Sequence, residues 1–123
     1  MPKSKTKRPS KKAFSDPRLT ERVRDALLKV PKVNERRIFG STGFMVRGNL
    51  CISVRPTRIM CRIDPSTHKA AISRKGCRTV MMKGRKYLGW VYVDALVLET
   101  KRDLLYWVSR ALAFNRSLPD ATK

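Results

Sequence analysis

The first segment with regularly placed apolar residues, between Leu19 and Val30, has helical spacing. Asp16 followed by Pro17 is an N-cap and first-turn signal. The apolar positions that follow form a single stripe: Leu19, Val23, Ala26, Leu27 and Val30. Because Pro31 cannot continue a helix, the pattern predicts a helix that begins at Pro17 and ends at Val30.

From Asn34 onward the apolar period changes to two, which is typical of strands. The apolar half of successive short strands consists of Ile38, Phe44, Val46, Leu50, Ile52, Val54, Ile59, Cys61 and Ile63. Turn residues separate these strands: Gly40 and Gly43, then Gly48-Asn49, then Pro56-Thr57. The pattern predicts an antiparallel meander.

The remaining chain predicts a short helix, two strands and a long final helix. Asp64-Pro65 opens the short helix and Gly76 ends it, while the strands cover about 78–83 and 88–94. Thr100 followed by Asp103 resembles a capping box, and a broad apolar stripe then runs to Leu118. We therefore predict a two-layer α+β domain, with an antiparallel sheet of about five strands and helices on one face.

Net charge narrows the class of partner. The chain has 29 Lys and Arg against 9 Asp and Glu, a formal charge of +20, which favours a polyanion such as nucleic acid over an anionic membrane surface. Six of the positive charges lie in the first dozen residues, at Lys3, Lys5, Lys7, Arg8, Lys11 and Lys12. Without these six, 23 basic residues remain against the same nine acids, so the remainder still carries about +14. We predict a disordered basic arm at 1–13, a single domain at 14–119 and a short C-terminal tail at 120–123.

Other function classes lack sequence support. No secretory signal or membrane-spanning run is present, so we expect a cytoplasmic protein without a membrane partner. The three cysteines lack C-x-x-C spacing, which predicts three reduced, packed thiols and no metal site. The single histidine, His68, is predicted on a solvated helix, and the scattered acids mostly lie near helix ends or turns. We expect no enzyme activity, cofactor or small-molecule substrate.

Residues 36–50, "RRIFGSTGFMVRGNL", contain three glycines that raise the possibility of a phosphate loop. Such a loop must lead into a helix whose N–H groups face the anion. Here "GSTG" leads into a segment with strand period. We therefore interpret Gly40 and Gly43 as a positive-φ turn or bulge, and Gly48-Asn49 as a second tight turn.

Strand alternation predicts a basic face on the side of the sheet opposite the helices. If the apolar strand residues face the helices, then Arg47, Ser53, Arg55, Met60 and Arg62 point to the opposite side. Trp90 and Tyr92 join them if Val91 and Val93 point inward, and such a face can stack bases and hold phosphates. Two alternatives stay open: both aromatics belong to the core and the arginines are ordinary solvated residues, or this face is a dimer interface. Together with the arm lysines and Arg8, the candidate nucleic-acid-binding residues are Arg37, Arg47, Arg55, Arg62, Trp90 and Tyr92.

Three segments resemble the TfoX N-terminal domain family, bacterial proteins named for a regulator of natural competence. They are "RRIFGSTGFMVRGNL", "GRKYLGWVYVD" at 84–94 and "WVSRALAFNRSLP" at 107–119. The resemblance implies a secretion-chaperone-like α+β fold and no catalytic residues. It also implies regulation of the transcription or competence type, for which we expect weakly selective nucleic-acid binding with DNA favoured over RNA. The competing hypothesis is a protein-interaction or dimerisation module without a nucleic-acid role.

Overall fold

A computed structural model of the chain describes residues 16–38 and 40–122. The arm predicted for residues 1–13 lies outside this range, as does Phe39. The helices and strands of the described part are, in chain order, α1 (Pro17–Ala26), β1 (Val33–Ile38), β2 (Ser41–Val46), β3 (Asn49–Val54), β4 (Arg58–Arg62), α2 (His68–Ile72), β5 (Cys77–Met82), β6 (Arg85–Asp94) and α3 (Lys101–Asn115). Two 3-10 turns, Pro65–Thr67 and Ala95–Val97, precede α2 and α3.

The strands form one open antiparallel sheet in the order β1-β2-β3-β4-β6-β5. This confirms the predicted α+β fold. The described sheet has six strands where the pattern predicted about five, because residues 33–46 form a hairpin of two strands. The first of these, β1, is an edge strand with a mostly exposed, polar sequence, so alternation there carries little signal.

One face of the sheet and the helices enclose the main core. Asp16 and Thr100 cap α1 and α3 as predicted, with Asp16 Oδ1 accepting from Arg18 N at 2.9 Å and Thr100 Oγ1 accepting from Asp103 N at 3.0 Å. The buried members of this core include Leu19, Val23, Phe44, Ile52, Val54, Ile59, Val91, Val93, Leu104, Trp107 and Val108. None of the described helices combines the length and the apolar character needed to cross a bilayer.

The first helix ends four residues earlier than predicted. Leu27 N–H contacts both Val23 O and Arg24 O at 3.1 Å, and Leu28 N–H contacts Asp25 O, so the chain tightens into three-residue turns after Ala26. Val30 precedes a proline, which disfavours helical backbone at that position. Lys32 then adopts a φ of 60° where the chain enters β1.

Tight turns connect the β-hairpins. The β2–β3 turn places Arg47 at φ 54° and Gly48 at φ 81°, one residue earlier than the predicted Gly48-Asn49 turn. Two consecutive positive φ values define the turn type whose twist suits a two-residue hairpin. Gly40 lies in the β1–β2 turn as predicted, but Gly43 lies inside β2, paired with Arg36 and Ser53. The turn role predicted for Gly43 is therefore wrong.

His68 is buried, so the prediction of a solvated histidine is also wrong. Its Nδ1 accepts a hydrogen bond from Gly89 N at 2.9 Å, and its Nε2 lies 2.8 Å from Thr79 Oγ1. A neutral ring with its proton on Nε2 satisfies both contacts. Gly89 has φ 88° at an irregularity in the β5–β6 pairing, which turns its N–H toward the ring. Sequence period could not reveal this contact because it depends on the irregularity.

Candidate nucleic-acid interface

The face of the sheet opposite the helices carries a second, smaller apolar cluster. Its members come from strands only: Leu50, Met60, Val80, Tyr87, Trp90 and Tyr92. We call this side of the sheet the outer face. Trp90 and Tyr92 lie on it, and Val91 and Val93 lie in the main core, which was the condition for placing the two aromatics here.

Strand register places arginines beside these aromatics. Arg62 pairs with Trp90, and Met60 pairs with Tyr92, so alternate residues of β4 and β6 share the outer face. Arg58 precedes Met60 by two residues and therefore points to the same side. Arg55 follows β3 and its guanidinium also reaches the Tyr92 ring.

Two arginine guanidinium groups lie over the Tyr92 ring. The Arg58 Cζ lies 3.7 Å from the centre of the Tyr92 ring, and the Arg55 Cζ lies 5.6 Å from it. A guanidinium that stacks through its plane keeps its N–H donors at the edge of that plane, where a phosphate can accept them. Arg55 Nε is buried and has no acceptor among the described residues. The pair thus concentrates positive charge over one aromatic ring.

Trp90 carries the third arginine of the group. The Arg62 Cζ lies 5.1 Å from the Trp90 ring centre and 5.5 Å from that of Phe114 near the end of α3. We call Arg55, Arg58 and Arg62 the arginine row. All three side chains are only partly exposed.

Further arginines reinforce the charge of the outer face. By alternation Arg36, Arg78 and Arg85 point to this side. The described strands contain two acids: Glu35, which pairs with Arg24 of α1 on the helical side, and Asp94. Asp94 shares the outer face and forms an ion pair with Arg78 at 3.1 Å. The strands therefore present an excess of positive charge on this face.

Two of the predicted site residues lie elsewhere. Arg47 belongs to the β2–β3 turn, and its Nη1 donates to Asn115 O at 2.9 Å and to Leu118 O at 3.0 Å, which ties the turn to the end of α3. The prediction that Arg47 lines the outer face is therefore wrong, because alternation stops at the positive-φ turn. Arg37 pairs with Thr42 and lies on the helical side of the sheet, apart from the arginine row. The six basic candidates of the arm lie outside the described residues.

Sequence comparison identifies the family. A sequence model of the TfoX N-terminal domain matches residues 25–115, which is most of the chain. The chain belongs to the TfoX N-terminal domain family. The matched span begins within α1 and ends with the last residue of α3, so it contains the entire sheet and the arginine row. Comparison with curated proteins and with solved structures found no match.

Sequence reasoning missed two features of this TfoX N-terminal domain. The first is Arg58, which lies next to the Pro56-Thr57 turn. Within the arginine row, its Cζ has the shortest distance to the centre of an outer-face ring. Its two-residue spacing from Met60 and Arg62 was the available signal. The second is an apolar pocket of about 290 Å³ on the outer face. Its lining residues are Leu50, Met60, Val80, Met82, Tyr87 and Trp90.

The helical side of the TfoX domain holds a second group of basic and aromatic side chains. Arg74 lies 4.2 Å from the Tyr106 ring centre, and Arg110 Nη1 donates to Tyr106 Oη at 2.7 Å. Asp103 lines the same depression as Arg74 and Tyr106, and its carboxylate opposes the approach of a phosphate. On the outer face the carboxylate of Asp94 is paired with Arg78, so this face is the better candidate for an anionic ligand.

The three cysteine thiols of the TfoX domain are buried. Burial raises the pKa of Cys51 to about 12 and that of Cys77 to about 11, and it raises the pKa of Cys61 well above its ordinary value. These thiols stay protonated near neutral pH, a form with little nucleophilic or metal-binding capacity. Within the described ranges, no group of three or more His, Cys, Asp or Glu residues is placed to hold a metal ion.

Proposed function

We propose that this TfoX N-terminal domain is a non-enzymatic regulatory protein that associates with nucleic acid through its outer face. The observation that carries the proposal is the arginine row, Arg55, Arg58 and Arg62, stacked on Tyr92 and Trp90. The basic segment at residues 1–13 adds phosphate contacts. The regulation is of the transcription or competence type, with DNA favoured over RNA.

Physical chemistry supports weak sequence selectivity. Guanidinium groups bind phosphates irrespective of the base, and stacking on an aromatic ring tolerates any base. The outer face presents arginine and aromatic side chains on a sheet, and none of the described helices lies on that side to read a major groove. Affinity in this arrangement comes mainly from counterion release, so it depends steeply on salt.

The proposed lack of enzyme activity has support from the titratable groups. His68 uses both ring nitrogens in contacts to Thr79 and Gly89, so neither nitrogen is available to a substrate. The pKa values of all three thiols are raised by burial. General acid-base and nucleophilic chemistry both need accessible groups with pKa values near the working pH.

A salt titration tests the proposal. About six or more phosphate contacts weaken DNA binding on the order of a thousandfold between about 50 and 200 mM salt. Replacing Arg55, Arg58 and Arg62 by Ala should lower the slope of log Kd against log salt by about 2.7, since each lost phosphate contact contributes about 0.9. The matched control replaces three exposed basic residues of the helical side, Lys69, Lys101 and Arg102, and removes the same charge.

Two results of this titration would contradict the proposal. One is the absence of measurable binding to DNA or RNA at low salt. The other is an equal loss of slope in the triple variant and in its control, which would assign binding to net charge alone. Deletion of residues 1–13 separates the contributions: the account expects weakened binding, whereas complete loss would make the arm the binding element.

A protein-interaction or dimerisation role is the second candidate function. The apolar pocket on the outer face favours it, together with the exposed side chain of Met82, which lines this pocket. Exposed apolar groups that cluster on one surface are typical of interaction sites. Salt-independent self-association, together with no binding to nucleic acid, would favour this function over the first.

A further inference from the structure

The outer-face pocket has an apolar lining. Leu50, Met60 and Val80 belong to the outer cluster, and Tyr87 and Trp90 supply aromatic side chains. Its volume of about 290 Å³ is at the lower end of the range for small-molecule sites. We propose that this pocket receives one unpaired base of a single-stranded nucleic acid. The inference rests on the proposed function and specifies the form of its ligand.

The chemistry of the pocket suits a base better than a sugar or a phosphate. A base has two apolar π-faces that stack on aromatic side chains such as Trp90 and Tyr87. The faces of a base are covered by its neighbours in a duplex, so only an unpaired or unstacked base can enter. The apolar walls supply no hydrogen-bonding pattern that would select one base over another.

Arginines border the pocket where a backbone would pass. The Arg62 guanidinium lies 5.1 Å from the Trp90 ring centre, and Trp90 is part of the pocket wall. Met60, also in the wall, pairs with Tyr92, on which Arg58 stacks at 3.7 Å. A strand whose base enters the pocket therefore has phosphates within reach of the arginine row.

Charge complementarity favours this occupant over a second copy of the chain. Two outer faces in contact would bring their arginine rows together, with Arg36 and Arg85 added on each side. Opposed like charges destabilise an interface, whereas a phosphodiester chain neutralises them. An acidic apolar peptide would also complement the charge of the outer face. It would not explain a higher affinity for a strand with bases than for an abasic strand, which the experiment below measures.

Two neighbouring methionines of β5 provide a matched pair of variants. Met82 lines the pocket, while Met81 points to the other side of the sheet. Their exposed fractions are 49% and 52%, so neither substitution disturbs the core. Met82→Asp places a carboxylate at the pocket, and Met81→Asp makes the same change of charge on the same strand.

The probes are three oligonucleotides of about 12 nucleotides, a length within the range of known single-strand sites. They are oligothymidylate, a chain of the same length with abasic sugars, and a duplex of the same length. Stacking of one base tightens binding by about 5- to 150-fold, so oligothymidylate should bind at least fivefold tighter than the abasic chain. Met82→Asp should remove this difference, and Met81→Asp should retain it.

Three results would overturn the inference, and they separate it from the proposed function. Equal affinity for the abasic and base-containing strands would refute the pocket while leaving phosphate binding by the arginine row intact. No binding of any oligonucleotide would refute both. The third result is self-association, or binding of an acidic apolar peptide, that is lost in Met82→Asp and kept in Met81→Asp. If neither variant also affects oligonucleotide binding, this result would assign the pocket to a protein partner.

Discussion

Arg47 has a structural role, in contrast to the arginines proposed to bind nucleic acid. Its Nη1 donates to Asn115 O and Leu118 O, its backbone N–H donates to Lys32 O at 3.0 Å, and its carbonyl accepts from Ala121 N at 2.8 Å. The turn therefore joins β2 and β3 to the end of α3. Arg47→Asn removes the guanidinium and keeps a residue that tolerates the φ of 54°.

The expected cost follows from the two carbonyl contacts. Hydrogen bonds from a charged donor contribute about 1.5–3 kcal/mol each, but one nitrogen makes both contacts here and Arg47 is only partly buried. We take about 2 kcal/mol for the pair, and the attraction of a cation to the helix C-terminus adds about 0.3–1 kcal/mol. The free energy of unfolding should fall by about 2–3 kcal/mol, which lowers Tm by roughly 8–12 °C for a domain of this size.

Urea denaturation measures this change, with Arg116→Asn as the control. Arg116 is an exposed residue at the same end of α3, so its replacement removes the same charge without the two carbonyl contacts. Arg47→Asn should also leave the arginine row intact and change DNA affinity little. Equal stability of the two variants, within about 0.5 kcal/mol, would refute the assignment of Arg47 to the helix end.

Three further predictions concern stability and reactivity. Burial lowers the pKa of His68 below 6.5, so the unfolded chain binds a proton at this residue before the folded chain does. The free energy of unfolding should therefore fall as the pH drops from about 7 toward 5, with a slope of up to about 1.4 kcal/mol per pH unit. Urea unfolding of His68→Gln, which lacks the only histidine, should lose this pH dependence, and an unchanged pH profile would contradict the prediction. Gly48→Ala should lower the free energy of unfolding more than Gly84→Ala in the same assay. Both glycines have positive φ, but only at Gly48 would an added Cβ meet the backbone of Ala121, at 2.8 Å. Equal losses in the two variants would refute the steric argument. Thiol reagents at pH 8 should modify Cys51, Cys61 and Cys77 slowly in the folded chain and rapidly in urea, and rapid labelling of the folded chain would show that these thiols are accessible.

Local signals sufficed for most of the fold. The helix starts at Asp16 and Thr100 depend on side-chain caps next to an apolar stripe, and the strands depend on alternation, so both could be predicted from neighbouring residues. The same alternation correctly placed Arg55, Arg62, Trp90 and Tyr92 on the outer face. These residues lie within regular strands or directly beside them.

Predictions failed where the backbone departs from regular strand geometry. Arg47 follows β2 in sequence, but the positive-φ turn sends its side chain to the end of α3. His68 is buried, and the irregularity at Gly89 directs an N–H toward its ring, a contact between residues 21 positions apart. Gly43 lies inside a strand, where an added Cβ would come within 2.9 Å of Ile38 Cδ1, the end of a flexible side chain. These contacts depend on tertiary packing, which a single sequence does not display.

The two tryptophans give the most direct test of nucleic-acid binding at the outer face. Trp90 lies on that face and Trp107 lies in the main core, so their indole N–H signals in an ¹⁵N NMR spectrum report on opposite sides of the sheet. Titration with oligothymidylate at low salt should shift the Trp90 signal to saturation and leave the Trp107 signal in place; Trp90→Phe assigns the two signals. A bound complex in which the Trp90 signal does not move, or in which the helical side alone responds, would contradict the account.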